Sequence, residues 1–194
     1  MTSGAPGREL YRDTVFERRL AARFQAGEAE AMNALFELHL DRVFAFARTL
    51  LNNRSDAEEV TSEAFVRAFE RASTFRGECP FRGWLFGITR NLCLDRLRQP
   101  RLILLEPDAA EWSASDEGKS ASQMETSIFV RNAVAELSPE YRTALILCDV
   151  EQWDAREVAE MLGKSLPATK SILYRARRAL RDQLTSLSEE EERA

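Results

Sequence analysis

The sequence is poor in the residues from which enzyme and metal sites are usually built. His39 is its only histidine. It stands three or four residues from Leu35, Phe36 and Val43, a helical spacing that makes it a packing residue. The three cysteines, Cys79, Cys93 and Cys148, are odd in number and far apart, which argues against a disulfide framework. No CxxC or HxxxH pair offers a zinc site, and each cysteine lies in or beside an apolar segment where it reads as packing. No metal, no cofactor and no chemistry of the chain's own are therefore expected. Long apolar runs are missing too. The most notable, Leu102–Leu105, is far short of the roughly 18 residues that span a bilayer. Met1–Gly7 lacks the basic-then-apolar order of a signal peptide, so a cytoplasmic protein without membrane insertion is expected. Strand-type alternation and internal repeats are absent as well.

What remains is a helical, highly charged chain. Of its 194 residues, 44% are hydrophobic and 30% charged, a composition that folds and leaves room for two small helical domains. The net charge of −5 looks wrong for a nucleic-acid partner until its distribution is followed. Leu102–Glu125 carries Glu106, Asp108, Glu111, Asp116, Glu117 and Glu125 against Lys119 alone. The tail Glu189–Ala194 is acidic again. Between them, Lys164–Arg181 carries Lys164, Lys170, Arg175, Arg177, Arg178 and Arg181 and no acid.

Residues 1–13 read as a loose tail. Helical periodicity then predicts Val15–Ala26, closed by Gly27, and a long second helix running from Met32 to Leu51 and broken at Asn52-Asn53. Ser55-Asp56-Ala57-Glu58 has the form of a capping box opening a third helix that runs to about Ala72. A loop with Gly77 and Pro80 follows, then a fourth helix carrying Phe81, Leu85, Ile88 and Leu92. Residues 14–100 make one domain. Residues 101–125, with Pro107, Gly118 and serines, make an acidic linker that Leu102–Leu105 and Trp112 can hold to a surface. A second domain occupies residues 126–186, before an acidic tail at 187–194. Its sequence supplies Ser138 as an N-cap with Pro139 behind it, and a buried stripe of Tyr141, Ala144, Leu145 and Cys148. The fold class is all-α.

The end of that second domain has a distinct shape. Ala155–Leu162 is a short amphipathic helix, Gly163 turns the chain, and Ser165 and Pro167 start another helix. Leu166, Thr169, Ile172, Leu173, Ala176 and Leu180 form the inner face of that helix. Lys170, Tyr174, Arg177 and Arg181 point outward, with Ser171, Arg175 and Arg178 alongside. A helix-turn-helix with a basic second helix suits a DNA major groove, where cations neutralise phosphates. An ordinary helical hairpin with a solvated basic face is the plainer alternative.

Leu137–Arg142, Glu157–Gly163, Ala168–Ser171 and Tyr174–Arg177 resemble the fourth conserved region of extracytoplasmic-function sigma factors. The chain departs from that pattern with Lys164 at an apolar turn position, Pro167-Ala168-Thr169 for Gly-Thr-Val and Ile172 for Arg. Asp56–Val60, Glu63–Phe69, Phe75–Gly77, Phe81–Ile88 and Arg90–Asp95 resemble the second region, with Ser62 where glutamine is common. The resemblance covers roughly residues 15–99 and 126–185, in matching order. It implies an alternative sigma factor, monomeric when free, that lends core RNA polymerase promoter recognition and melting. By resemblance, Lys170, Ser171, Tyr174, Arg175 and Arg178 bind the −35 element. Arg76, Trp84, Arg90 and Asn91 are the −10 candidates, an aromatic and an amide among arginines able to hold an unstacked base. Asp56, Glu59, Ser62, Glu63 and Phe65 are the candidates for the polymerase β′ clamp. The linker is expected to thread polymerase channels, the β subunit to be a further partner, and an anti-sigma factor to hold the chain inactive. A helix-turn-helix regulator acting without core polymerase is the alternative reading. A ligand-responsive repressor is disfavoured because no large pocket-forming domain follows the DNA-binding helix.

Overall fold

The structure is a computed structural model that describes residues 14–99 and 129–191. The linker, the N-terminal tail and residues 192–194 lie outside those residues, with the expectations placed on them, whereas residues 187–191 of the expected acidic tail continue the last helix. The described residues are helical, with no strand among them. Helix α1 spans Thr14–Gln25 and ends at Gly27, whose φ of 81° is in the region glycine enters without strain. Helix α2, Ala29–Leu51, stops where Asn52 turns left-handed at φ 50° and returns its N–H to Arg48 O. Helix α3, Arg54–Glu70, corrects one expectation. Asn53, not Ser55, is its N-cap, accepting from Asp56 N at 2.8 Å, and Ser55 sits one residue inside the helix. A 3-10 turn, Ala72–Thr74, and an irregular loop lead to α4, Phe81–Arg98.

Helices α1 to α4 pack around Phe24, Leu35, Val43, Phe46, Leu50 and Leu85. His39 is buried there as expected, with Nε2 3.3 Å from Glu17 Oε1. Burial pushes the Glu17 carboxyl up, but His39 and the Arg82 N–H together outweigh it and leave it below the usual carboxylate range. The contact ties α1 to both α2 and the start of α4.

The C-terminal helices are α5 (residues 129–135), α6 (Pro139–Leu145), α7 (Ala155–Leu162) and α8 (Leu166–Glu191). Ser138 caps α6 by accepting from Tyr141 N, with Pro139 in the first turn. After Leu145 the helix widens into a π-helical turn, Ile146–Val150. Gln152, at φ 55°, helps reverse the chain and set Trp153 inward. Leu137, Ala144, Leu145, Ile172, Leu173 and Ala176 form a small cluster of their own. Ile146, Leu147, Trp153 and Val158 instead complete the core of the N-terminal helices. The two halves are thus seated against each other.

Candidate nucleic-acid and polymerase interfaces

Helix α7 is only eight residues long, so its ends must be well closed. Asp154 accepts from Arg156 N at 2.7 Å and Glu157 accepts from Asp154 N at 3.0 Å, a capping box readable as D-x-x-E. Gly163, at φ 62°, turns the chain into α8. Thr169, Ile172, Leu173 and Ala176 then face inward, and Lys170, Ser171, Tyr174, Arg175 and Arg178 all face solvent. Tyr174 is 69% exposed, a large ring left out of the core on the face expected to meet DNA. Arg177 is different. It makes a two-pronged pair with Asp149, which raises its pKa, and it ties α8 to the π-helical turn.

The −10 candidates divide into two groups. Arg76 and Asn91 are exposed, one on the loop and one on α4. Trp84 is half-buried within an aromatic cluster, its ring 5.2 Å from Phe75, 5.9 Å from Phe81 and 6.1 Å from Phe24. Its main contacts are with the wall behind the loop. Arg90 is also half-buried, and its Nε has no hydrogen-bond partner. Burial pulls the Arg90 pKa down, opposed by the charge of Glu140. In front of the cluster lies a cleft of about 540 Å³ lined by Glu17, Arg18, Gln25, Cys79, Arg82 and Glu157 among others.

On α3, Asp56 and Glu59 both pair with Arg96 of α4, Asp56 at 2.8 Å. Glu63 accepts from Arg67 one turn on at 2.6 Å, and Ser62 is exposed. Phe65 is not part of this surface. Only 2% exposed, it packs edge-on to Phe36 at 4.7 Å because its position on α3 faces α2. Val66, 53% exposed, is the apolar side chain that borders the acids. The missed signal is ordinary helical phase: Phe65 continues the buried series through Val60, Thr61, Ala64 and Ala68.

Among the described residues no group of acids, cysteines or histidines is placed to hold a metal ion, and no helix is long and apolar enough to cross a membrane.

Comparison with known proteins follows the same division of the chain. A family model described as Sigma-70 region 2 matches residues 35–102, and one described as Sigma-70, region 4 matches residues 130–180. The chain is 34% identical over 172 residues to the ECF RNA polymerase sigma factor SigE of Mycolicibacterium smegmatis, covering 84% of this chain. It spans 66% of the length of that relative. It is 30% identical over 164 residues to the ECF RNA polymerase sigma factor SigM of Mycobacterium tuberculosis, covering 84% of this chain and 82% of SigM. CnrH, solved in complex with the cytosolic domain of CnrY, superposes with a TM-score of 0.68 at 25% identity, covering 88% of this chain and 97% of that one.

Proposed function

The chain belongs to the ECF family of RNA polymerase sigma factors, and from that premise we propose that it binds core RNA polymerase and directs promoter recognition, melting and initiation. The observation that carries the reading is the pairing of two surfaces on one chain. A basic, solvent-facing α8 is joined to an N-terminal unit whose α3 presents acids around Val66. A DNA-binding regulator acting alone has use for the first surface but none for the second.

In this proposal Lys170, Ser171, Tyr174, Arg175 and Arg178 engage the −35 element, and Arg76 and Asn91 meet the −10 element in front of the Trp84 wall. Asp56, Glu59, Ser62 and Glu63, bordered by Val66, dock on the β′ clamp, with the β subunit a second contact. Residues 14–100 and 126–186 act as the two functional domains. The chain needs no cofactor, works in the cytoplasm with the polymerase and performs no catalysis, since nucleotidyl transfer belongs to the core enzyme. An anti-sigma factor is part of the proposal, because CnrH is held with the cytosolic domain of another protein.

The test is transcription of genomic DNA by core polymerase with and without the purified chain, with transcript starts mapped. A discrete set of chain-dependent starts sharing upstream elements is expected. Specific DNA binding with no effect on transcript starts would favour the independent regulator instead. Two variants refine the assignment. Asn91→Ala should slow promoter opening about tenfold, followed by a fluorescent base analogue in the −10 element, while core binding is unchanged. Glu59→Lys with Glu63→Lys should weaken core binding about tenfold in direct titration. Helix content should persist there because Asp56 still holds Arg96. Normal opening in the first variant, or normal affinity in the second, would remove that residue assignment.

A further inference from the structure

Helix α8 sorts its surface by chemistry as well as by charge. Its inner residues Thr169, Ile172, Leu173 and Ala176 are buried. Pro167, Ser171, Tyr174 and Arg178 recur at helical steps along the opposite side, and all four are exposed. Pro167 leads that line, in the first turn of the helix. Several cations of the same stretch are held to its sides. Lys164 pairs with Glu140 of α6 at 3.0 Å, and Arg177 Nε with Asp149 of the π-helical turn at 3.0 Å. Arg175 reaches back along the helix, its Nε donating to Ser171 O at 3.3 Å. The outer face therefore opens with a pyrrolidine ring, a hydroxyl and a phenol, and reaches a cation of its own only at Arg178.

The start of α8 is poorly suited to hold a phosphate. Helices do that with free backbone N–H groups in the first turn. Pro167 has none. Ser165 already meets two of the others, its Oγ accepting from Ala168 N at 3.4 Å and its carbonyl from Thr169 N at 3.0 Å. First-turn residues of a recognition helix are the ones that reach base edges in the major groove. An apolar ring without donors leaves the hydrogen-bonding groups of those edges unanswered, whereas the C5-methyl of thymine is apolar and projects into that groove. Pro167 stands where the family pattern has glycine, which carries no side chain to make such a contact.

We propose that Pro167 is a specificity-determining residue of the −35 contact, reading the C5-methyl of one thymine by apolar contact while Ser171 and Tyr174 follow along the same line. The inference rests on the sigma-factor reading above and deepens it by naming one base. Phosphate contacts fix register without reading sequence, so Lys170 and Arg175 on phosphate alone would hold many promoters alike. Pro167 supplies discrimination where those residues supply attraction.

The test removes the methyl and nothing else. In a promoter mapped from chain-dependent starts, each thymine of the −35 element, on either strand, is replaced in turn by deoxyuridine, which keeps every hydrogen-bonding group of the base. Fluorescence anisotropy of the holoenzyme, full-length chain with core polymerase, reads the affinity. At one of these positions the wild-type chain should bind about three- to fivefold less tightly, the weight of one methyl group taken from water. Pro167→Gly should lose about the same factor on the thymine promoter and nothing further on the deoxyuridine one. Damage to α8 by the glycine would lower affinity on both DNAs and leave their ratio as in wild type, so the ratio decides. An element with no methyl-sensitive thymine, or a Pro167→Gly ratio equal to that of wild type, overturns the assignment and leaves the sigma-factor reading standing. If no chain-dependent starts are found, the sigma-factor reading fails and the assignment fails with it.

Discussion

Alanine at both Lys170 and Arg175 is expected to lower promoter affinity about a hundredfold. Each side chain is fully outside the core of α8, so its removal leaves the buried series Thr169, Ile172, Leu173 and Ala176 untouched. One charge-assisted bond to a phosphate or base edge is worth about 1.4 kcal/mol, a factor of ten, and the effects of removing two such bonds multiply. The salt dependence should change as well. Every phosphate that the protein no longer neutralises takes about 0.9 from the slope of log affinity against log salt, so the double variant should lose about two units if both residues meet phosphate. Fluorescence anisotropy of the holoenzyme on a labelled promoter, repeated at several salt concentrations, reads both quantities. Arg177→Ala is the internal control. Arg177 carries the same charge on the same helix but is already engaged by Asp149. Its replacement should loosen the packing of α8 on the π-helical turn and barely alter the salt slope. Equal losses from Arg177→Ala and from the double variant would mean that general positive charge, not a recognition face, attracts the DNA.

That contrast between Arg175 and Arg177 marks where sequence reading stops. Local signals are legible where one or two residues decide the outcome. Ser138 with Pro139, the left-handed Gly163 and the inward series of α8 each stand where the pattern places them. The start of α3 is misread because two local signals compete. Asn53 and Ser55 are both capping residues, and only the left-handed turn at Asn52 decides in favour of Asn53. Phe65 is misplaced because three neighbouring apolar residues blur the helical phase, and only packing against Phe36 separates it from Val66. The C-terminal seat is invisible for a deeper reason. The Arg142 bond to Leu50 O joins residues 92 apart, and no period or motif in either segment refers to the other. Gly83 and Gly87 have no side chain to signal a neighbour, yet Trp153 Cζ3 and Met161 Cγ lie 3.9 Å from where their Cβ atoms would stand.

Phe24→Ala should strongly destabilise the N-terminal unit, costing about 3–5 kcal/mol. The ring is wholly buried, with its centroid 5.1 Å from Phe81, 6.1 Å from Trp84 and 6.2 Å from Phe69. Helix α1 has twelve residues, too few to be stable alone in water, so its order depends on what it packs against. Phe24 is its largest fully buried side chain, helped by Leu20 and Ala21 and by the Glu17 link to His39. A loss of this size is a large fraction of the roughly 5–15 kcal/mol that holds a domain folded. Denaturant unfolding should show the midpoint falling with the slope against denaturant unchanged. Phe24→Leu, which keeps most of the volume, should cost about 1–1.5 kcal/mol. The consequence for function follows from the same cluster. Phe75 and Phe81 bracket the loop that carries Arg76, and both pack on Trp84, itself in contact with Phe24. Once the Phe24 ring is gone, that loop loses its backing even at temperatures where the remainder stays folded. Promoter opening should therefore fall before −35 binding does, and alanine should separate the two more widely than leucine. A midpoint shift equivalent to less than about 1 kcal/mol for alanine would show that the cluster closes without Phe24. The loop would then draw its order from α4 alone.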